Sequence, residues 1–248
     1  MTIRELVEFV KELGFDGVEF PLRDGYQVEP SNAVEKLPVL AEEMKKQGLS
    51  IMSVASHLDE SIFKACSESG VTILRIMLST DTGESYMEAE NKWQKMLNNY
   101  VPLCRKYNVK IGIQQHFGPG VFNTMELRHL LEKCDTEYIR AIWDAAHSGL
   151  AGEEPEQALD IIWDHLELVN LKNAYYKREL DPATNKPLFT PFFTLGHDGI
   201  YDWKRAADYL IKRGYKGDIC MPAEYTDEEN VVDYIKTDLA YVKKLFNS

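Results

Sequence analysis

Short, nearly continuous apolar segments alternate with amphipathic helical ones along the whole chain, and this alternation limits the fold more than any other feature. The first helical segment carries its apolar stripe on Ile3, Leu6, Val7, Val10 and Leu13, with Thr2 as N-cap and Gly14 as stop signal. The segment GVEF follows at 17–20. Helical patterns near 34–47, 60–69, 86–107, 124–134, 155–165, 202–213 and 228–246 then alternate with LSIMSVAS (49–56), VTILRIML (71–78), VKIGIQQHF (109–117), YIRAIWDAAH (138–147), LELVNLKNAYY (166–176) and GDICMPAEY (217–225). Strands that are apolar on both sides and separated by helices belong to a parallel sheet covered by helices. The length of 248 residues matches one α/β domain, a TIM-type (β/α) barrel spanning 1–248. The alternative is a doubly wound sheet. No GxGxxG or P-loop pattern follows any strand, which counts against its nucleotide-binding form. The pattern opens with the helix that should follow a first strand, so the expectation is a seven-stranded barrel lacking that strand.

Charge and cysteine usage exclude several partners. A net charge of −12 opposes nucleic acid, whose phosphates require a basic face. Cys66, Cys104, Cys134 and Cys220 form no CxxC pair and read as reduced thiols. The charged, amphipathic start is unlike a signal peptide, and no apolar run reaches membrane-spanning length. A cytoplasmic protein with a small-molecule partner is expected, with a homo-oligomer left open.

In a barrel, polar residues at the C-terminal ends of strands mark the site. Here they are Glu19 on the first segment, Arg75 on the third, Gln114 and His116 on the fourth, Asp144 and His147 on the fifth, Asn170 and Lys172 on the sixth, and Glu224 on the last. Each also has a structural reading. Asp144 could cap a turn, the histidines could be satisfied under loops, Lys172 could pair with Glu19 or Asp144, and Arg75 could be a core ion pair or an anion clamp. Glu224, at the end of an apolar strand, is hardest to explain without a bound partner. The irregular stretch 177–201 carries Phe189, Phe192, Phe193 and His197 between prolines and glycines, and is expected to pack over the strand ends.

The blocks GFDGVEF, IGIQQHFG, WDAAHSGLAGEEPEQAL, VNLKNA, LGHDGIYDW and GYKGDICMPAEY occur in the order of the xylose-isomerase-like sugar isomerases and epimerases, and the chain resembles that family over nearly its full length. The resemblance implies a metal site of glutamate, aspartate, histidine and glutamate, which falls here on Gln114, Asp144, Asn170 and Glu224. Two ligand positions are therefore amides. An all-oxygen set suits magnesium, manganese or calcium better than zinc, and with two charges it would hold the ion weakly or not at all. The resemblance also implies paired glutamates as acid and base, but Gln114 cannot take a proton.

The resulting expectation is a sugar or hydroxy-keto-acid isomerase or epimerase that abstracts a proton next to a carbonyl. Glu224 is the base, a divalent metal or Lys172 stabilises the oxyanion, and His116 or His147 is the acid. Glu19, Arg75, His57 and His197 are candidate substrate contacts. The alternatives are a lyase or dehydratase of the same superfamily and a carbohydrate-binding barrel without catalysis. An endonuclease reading is opposed by the acidic charge.

Overall fold

Thr2 starts the first helix by the chemistry its type predicts. Its hydroxyl accepts from the Glu5 amide, and the Glu5 carboxylate accepts from the Thr2 amide at 2.7 Å, a reciprocal cap. The helix α1 runs Ile3–Leu13, and Gly14 ends it at φ 85, a backbone region that favours glycine. A computed structural model describes residues 1–246. Along them follow β1 (Gly17–Pro21), α2 (Ala33–Lys46), β2 (Ser50–Ala55), α3 (Glu60–Glu68), β3 (Ile73–Ile76), α4 (Tyr86–Tyr107), β4 (Lys110–Gln114), α5 (Thr124–Leu131), β5 (Ile139–Asp144), α6 (Ala145–Leu150), α7 (Pro155–Ile162), β6 (Leu166–Asn170), β7 (Asn173–Leu180), β8 (Pro187–Thr194), α8 (Trp203–Lys212), β9 (Ile219–Cys220) and α9 (Val231–Phe246).

Seven strands form one sheet in the order β1-β2-β3-β4-β5-β6-β9. The pairings β1–β2, β2–β3, β3–β4, β4–β5 and β6–β9 are all parallel. A parallel sheet in chain order with helices between its strands is the (β/α)-barrel topology, and its strand number is the one expected from the sequence. The chain divides into two compact units. The first holds residues 1–114 and 129–142, with Leu37, Leu40, Met44, Leu74, Leu97 and Ile111 fully buried. The second holds residues 115–128 and the chain from Trp143 onward, where Trp143, Trp203 and Leu210 are buried and Ala146, Leu150 and Ala174 pack with Phe117, Phe122 and Phe193.

The strand ends differ from the sequence expectation in four places. The fourth segment stops pairing at Gln114, so His116 lies beyond the strand. The fifth stops at Asp144, which caps α6 through its side chain, a helix the apolar run had concealed. The sixth breaks at Leu171 and Lys172 into two strands of different sheets. In the last, only Ile219–Cys220 pair. Pro222 has no N–H to offer a ladder, and Ala223 sits at φ 55, outside the extended region.

The stretch 177–201, expected to be irregular, is largely an antiparallel hairpin. β7 and β8 pair from Asn173↔Thr194 to Leu180↔Pro187. The Asp181 carboxylate accepts from the amides of Ala183 and Thr184 and builds the turn between them. Prolines 187 and 191 are tolerated because a two-stranded ribbon leaves half of its N–H groups without a ladder partner.

The four cysteines are free and buried. Burial pushes the thiols of Cys66 and Cys104 up to about 12 and that of Cys134 up to about 11, which leaves them without thiolate at neutral pH. No helix, among the described residues, is long and apolar enough to cross a membrane.

One cap gives a direct check on the helix starts. Asp202 accepts from the amides of Lys204 at 2.9 Å and Arg205 at 3.1 Å at the head of α8. Asp202→Ala is expected to cost about 1 kcal/mol in a urea unfolding curve, and Asp202→Ser should recover most of it.

Candidate active site

The second unit gathers a charged cluster at the ends of its strands. β5 ends in Asp144, β6 ends in Asn170, the two-residue link to β7 carries Lys172, and Glu224 follows β9. Asp144 is fully buried. One of its oxygens accepts from the His147 amide at 3.2 Å, and the other lies 3.6 Å from Lys172 Nζ and 3.8 Å from His147 Nε2. Lys172 Nζ also donates to Glu224 Oε2 and lies 4.9 Å from the centroid of the Phe193 ring. The lysine side chain is 5% exposed and that of Glu224 is 56% exposed, so the ammonium is held inside while one carboxylate faces outward.

Two imidazoles and two phenyl rings stand beside these charges. The ring centroids of His116 and His147 are 4.2 Å apart. Phe117 stacks on both imidazoles, and Phe193 meets Phe117 at 6.0 Å and His147 at 6.1 Å. The Phe117 amide donates to His147 Nδ1 at 3.3 Å, which assigns the His147 proton to Nε2, the nitrogen nearer Asp144. His116 Nδ1 lies 2.9 Å from the Phe117 carbonyl and donates to it. Burial, with Lys172 adding to it, holds His116 below the ordinary imidazole range, so this ring is neutral at pH 7. Burial pushes Glu224 up, but the charge and hydrogen bond of Lys172 outweigh it, and the carboxyl is held below its usual value. The cluster thus contains ionised Glu224, the Lys172 ammonium, the buried Asp144 carboxylate and the neutral His116 ring.

The first unit has a polar group of its own. Glu19 on β1 accepts from Ser53 Oγ at 2.7 Å and from Arg75 Nε at 2.8 and 2.9 Å, while Arg75 Nη1 donates to the Gln114 side-chain oxygen. Arg75 and Glu19 are 12% and 10% exposed. Of the two sequence readings of Arg75, the core ion pair is the one formed, since its charge is already answered. His57 is exposed. His197 is also exposed, beside Asp198 at 3.5 Å and against the Tyr241 ring. The hairpin therefore contributes Phe193 to the charged cluster, whereas His197 is engaged elsewhere.

Several residues of these groups escaped the sequence reading. Ser53 faces inward on β2 but is too common a residue type to stand out. Phe117 follows His116 directly, and its backbone rather than its ring identity fixes both histidines. Asn173 is fully buried and ties the hairpin base to the chain at Gly196 and Tyr201.

A family model described as xylose isomerase-like TIM barrel matches residues 7–245. The chain belongs to this family. Among curated relatives it is similar to an inosose dehydratase of Clostridium tetani (strain Massachusetts / E88), 27% identical over 166 residues, covering 64% of this chain and 56% of that protein. The chain spans about half the length of the curated relatives it matches. Among solved structures, a 3-keto-D-glucoside 4-epimerase from E. coli superposes with a TM-score of 0.74 at 16% identity, covering 98% of this chain and 94% of that one. The IOLI protein, whose structure contains a zinc atom, superposes with a TM-score of 0.73 at 14% identity, covering 98% of this chain and 92% of that one. At such identities the structures carry the fold.

The residues of this chain do not fit a resident divalent ion. The Gln114 side-chain oxygen already accepts from Arg75. Glu224 and Asp144 both face the Lys172 ammonium, which repels a second cation. Asn170 Oδ1, buried and without a hydrogen-bond partner among the described residues, is the one oxygen of the four that would welcome a cation. Among the described residues, no group of three or more His, Cys, Asp or Glu side chains converges as a metal site.

Proposed function

We propose that this chain is a sugar-modifying enzyme that removes a proton from the carbon next to a carbonyl in a small polyhydroxylated ketone or hydroxy-keto acid. The observation that carries this reading is the Lys172 ammonium, fixed between Asp144 and ionised, outward-facing Glu224. Glu224 takes the α-proton. The electron pair moves onto the carbonyl oxygen, and Lys172 stabilises the negative charge that develops there. Phe117 and Phe193 offer apolar surfaces to the C–H faces of the substrate, while His116, whose Nδ1 is spent on the Phe117 carbonyl, offers Nε2 as an acceptor to a hydroxyl.

From the enediolate two outcomes are open. Returning the proton to the neighbouring carbon isomerises the substrate. Alternatively, the electron pair returns from the oxygen, the β C–O bond breaks, and the hydroxyl leaves as water after accepting the proton that Glu224 took in the first step. Gln114 favours elimination over epimerisation. It stands where the family resemblance places a second glutamate, and an amide neither accepts nor returns the proton that epimerisation at one carbon requires. Similarity to inosose dehydratases supports the same choice.

The test is solvent exchange. The protein is incubated in deuterium oxide with a panel of keto-inositols, ketohexoses and hydroxy-keto acids and followed by proton NMR. The expected result is loss of one α-proton signal, accompanied by an enone absorbance where water is eliminated. A panel in which no α-proton exchanges above the buffer rate would overturn the reading.

A further inference from the structure

We propose that Lys172 is the resident cation of this site, and that Asp144 and Glu224 consequently do not take up a divalent metal. The inference deepens the reading above and rests on the same placement of the cluster. The first argument is charge. Asp144 is fully buried, and a buried carboxylate requires a countercharge close by. Lys172 Nζ supplies it at 3.6 Å and contacts Glu224 with the same atom. A divalent ion shared by these two carboxylates would have to sit next to that ammonium.

The second argument is fixation. An ammonium has three donors and no acceptor. Here it meets the Glu224 carboxylate, the Asp144 carboxylate and the Phe193 ring face, three groups of negative potential. The backbone behind it is held as well. The Lys172 carbonyl accepts from Trp203 Nε1 at 3.1 Å, and the next residue, Asn173, is tied at Gly196 and Tyr201. The lysine side chain is 5% exposed, and moving it away from both carboxylates would leave buried Asp144 unanswered.

The third argument is the rest of the donor set. Gln114 spends its side-chain oxygen on Arg75, and Asn170 brings an amide oxygen with no imidazole nitrogen. Metal affinity from amides does not offset the dehydration of a divalent ion as carboxylates do. The loss of donor charge and the presence of a fixed ammonium point the same way.

The experiment reads metal binding without substrate, so it stays informative even if no ketose is turned over. Chelator-dialysed protein is titrated with manganese, free ion is followed by electron paramagnetic resonance, and thermal midpoints are recorded with and without the metal. Wild type is expected to leave the manganese free and to show no midpoint shift. Lys172→Met should bind manganese at least about tenfold more tightly than wild type and be stabilised by it, and Asp144→Asn in the same background should abolish that gain. Lys172→Arg, which keeps a cation, should remain insensitive. One manganese per wild-type chain, lost in Asp144→Asn, overturns the proposal. So does a Lys172→Met protein that binds no more tightly than wild type. If Lys172→Met does not fold, the wild-type titration decides alone: stoichiometric binding overturns the proposal, and free manganese supports it.

Discussion

Glu224→Gln is expected to lower turnover of any accepted ketone by about 100- to 10,000-fold, the range a general base contributes, with little change in thermal midpoint. The substitution keeps the shape of the side chain and one acceptor oxygen for Lys172, and removes its affinity for a proton. Folding should tolerate it because the Glu224 side chain is 56% exposed, and an exposed partner of an ion pair contributes little to stability. Lys172 retains Asp144 as its countercharge at 3.6 Å, so the ammonium stays in place. The loss should appear in kcat and kcat/KM together, since the interaction removed is made in the transition state. A variant within a few-fold of wild type would move the base to His116, which is neutral at pH 7 because burial holds it below the ordinary imidazole range.

The paired effect of Lys172 on Glu224 sets a condition on this mechanism. An ammonium beside the base keeps it ionised at neutral pH but also weakens it, since the same charge lowers its carboxyl below the usual range. The arrangement is productive if the carbonyl oxygen binds beside the fixed ammonium, which then divides its charge between the oxyanion and Glu224. The base then regains proton affinity at the point where the oxyanion needs the positive charge. Base and electrophile are thus coupled through one nitrogen atom.

Much of this was legible in the sequence, and what was not has identifiable physical causes. Parallel strands read as unbroken apolar runs, so β2 through β6 could be placed to within a few residues. The same runs conceal where the ladder stops. YIRAIWDAAH is apolar on both sides of Asp144, and only the side-chain cap on His147 marks the change from strand to helix. The hairpin was illegible because prolines 182, 187 and 191 and the glycines near 196–199 dominate the local signal, while its pairing depends on contacts such as Ala174↔Phe193 that composition does not reveal. In the candidate site, Asp144, Lys172 and Glu224 could be selected by position alone, since barrel strands deliver side chains to one end. Their partners could not. Arg75 pairs with Glu19, 56 residues away in sequence, a contact that local pattern does not reveal. His57 and His197 had been selected for residue type, and type does not specify burial.

Asn173→Ala should be the most damaging substitution outside the charged cluster. This side chain is fully buried, and its amide nitrogen donates to the carbonyls of Gly196 at 2.8 Å and Tyr201 at 2.7 Å. Its oxygen accepts from the Tyr201 amide at 3.1 Å. One residue therefore satisfies three backbone groups on the segment that returns from the hairpin to α8. The chain comes so close that a Cβ on Gly199 would lie 2.1 Å from the Asn173 oxygen, so only glycine fits there. Alanine at 173 would leave two carbonyls and the Tyr201 N–H buried without this partner, and would also remove the bond that the Asn173 oxygen accepts from the Ala174 amide at 3.0 Å. Each such group costs about 1–3 kcal/mol, and partial rescue by water brings the expected total to about 3 kcal/mol. For a chain of this length that is roughly 6–12 °C in thermal midpoint. Asn173→Asp keeps the acceptor and replaces the two donors with a charged oxygen facing two carbonyls, so it should be no milder than alanine. Differential scanning calorimetry of both variants measures this directly, and hydrogen exchange should show the extra loss of protection concentrated at residues 196–201. A midpoint within about 2 °C of wild type for both, less than 1 kcal/mol by the same scaling, would mean that the return segment is held by its other contacts, chiefly the Asp238 carboxylate that accepts from the Gly196 amide at 2.9 Å.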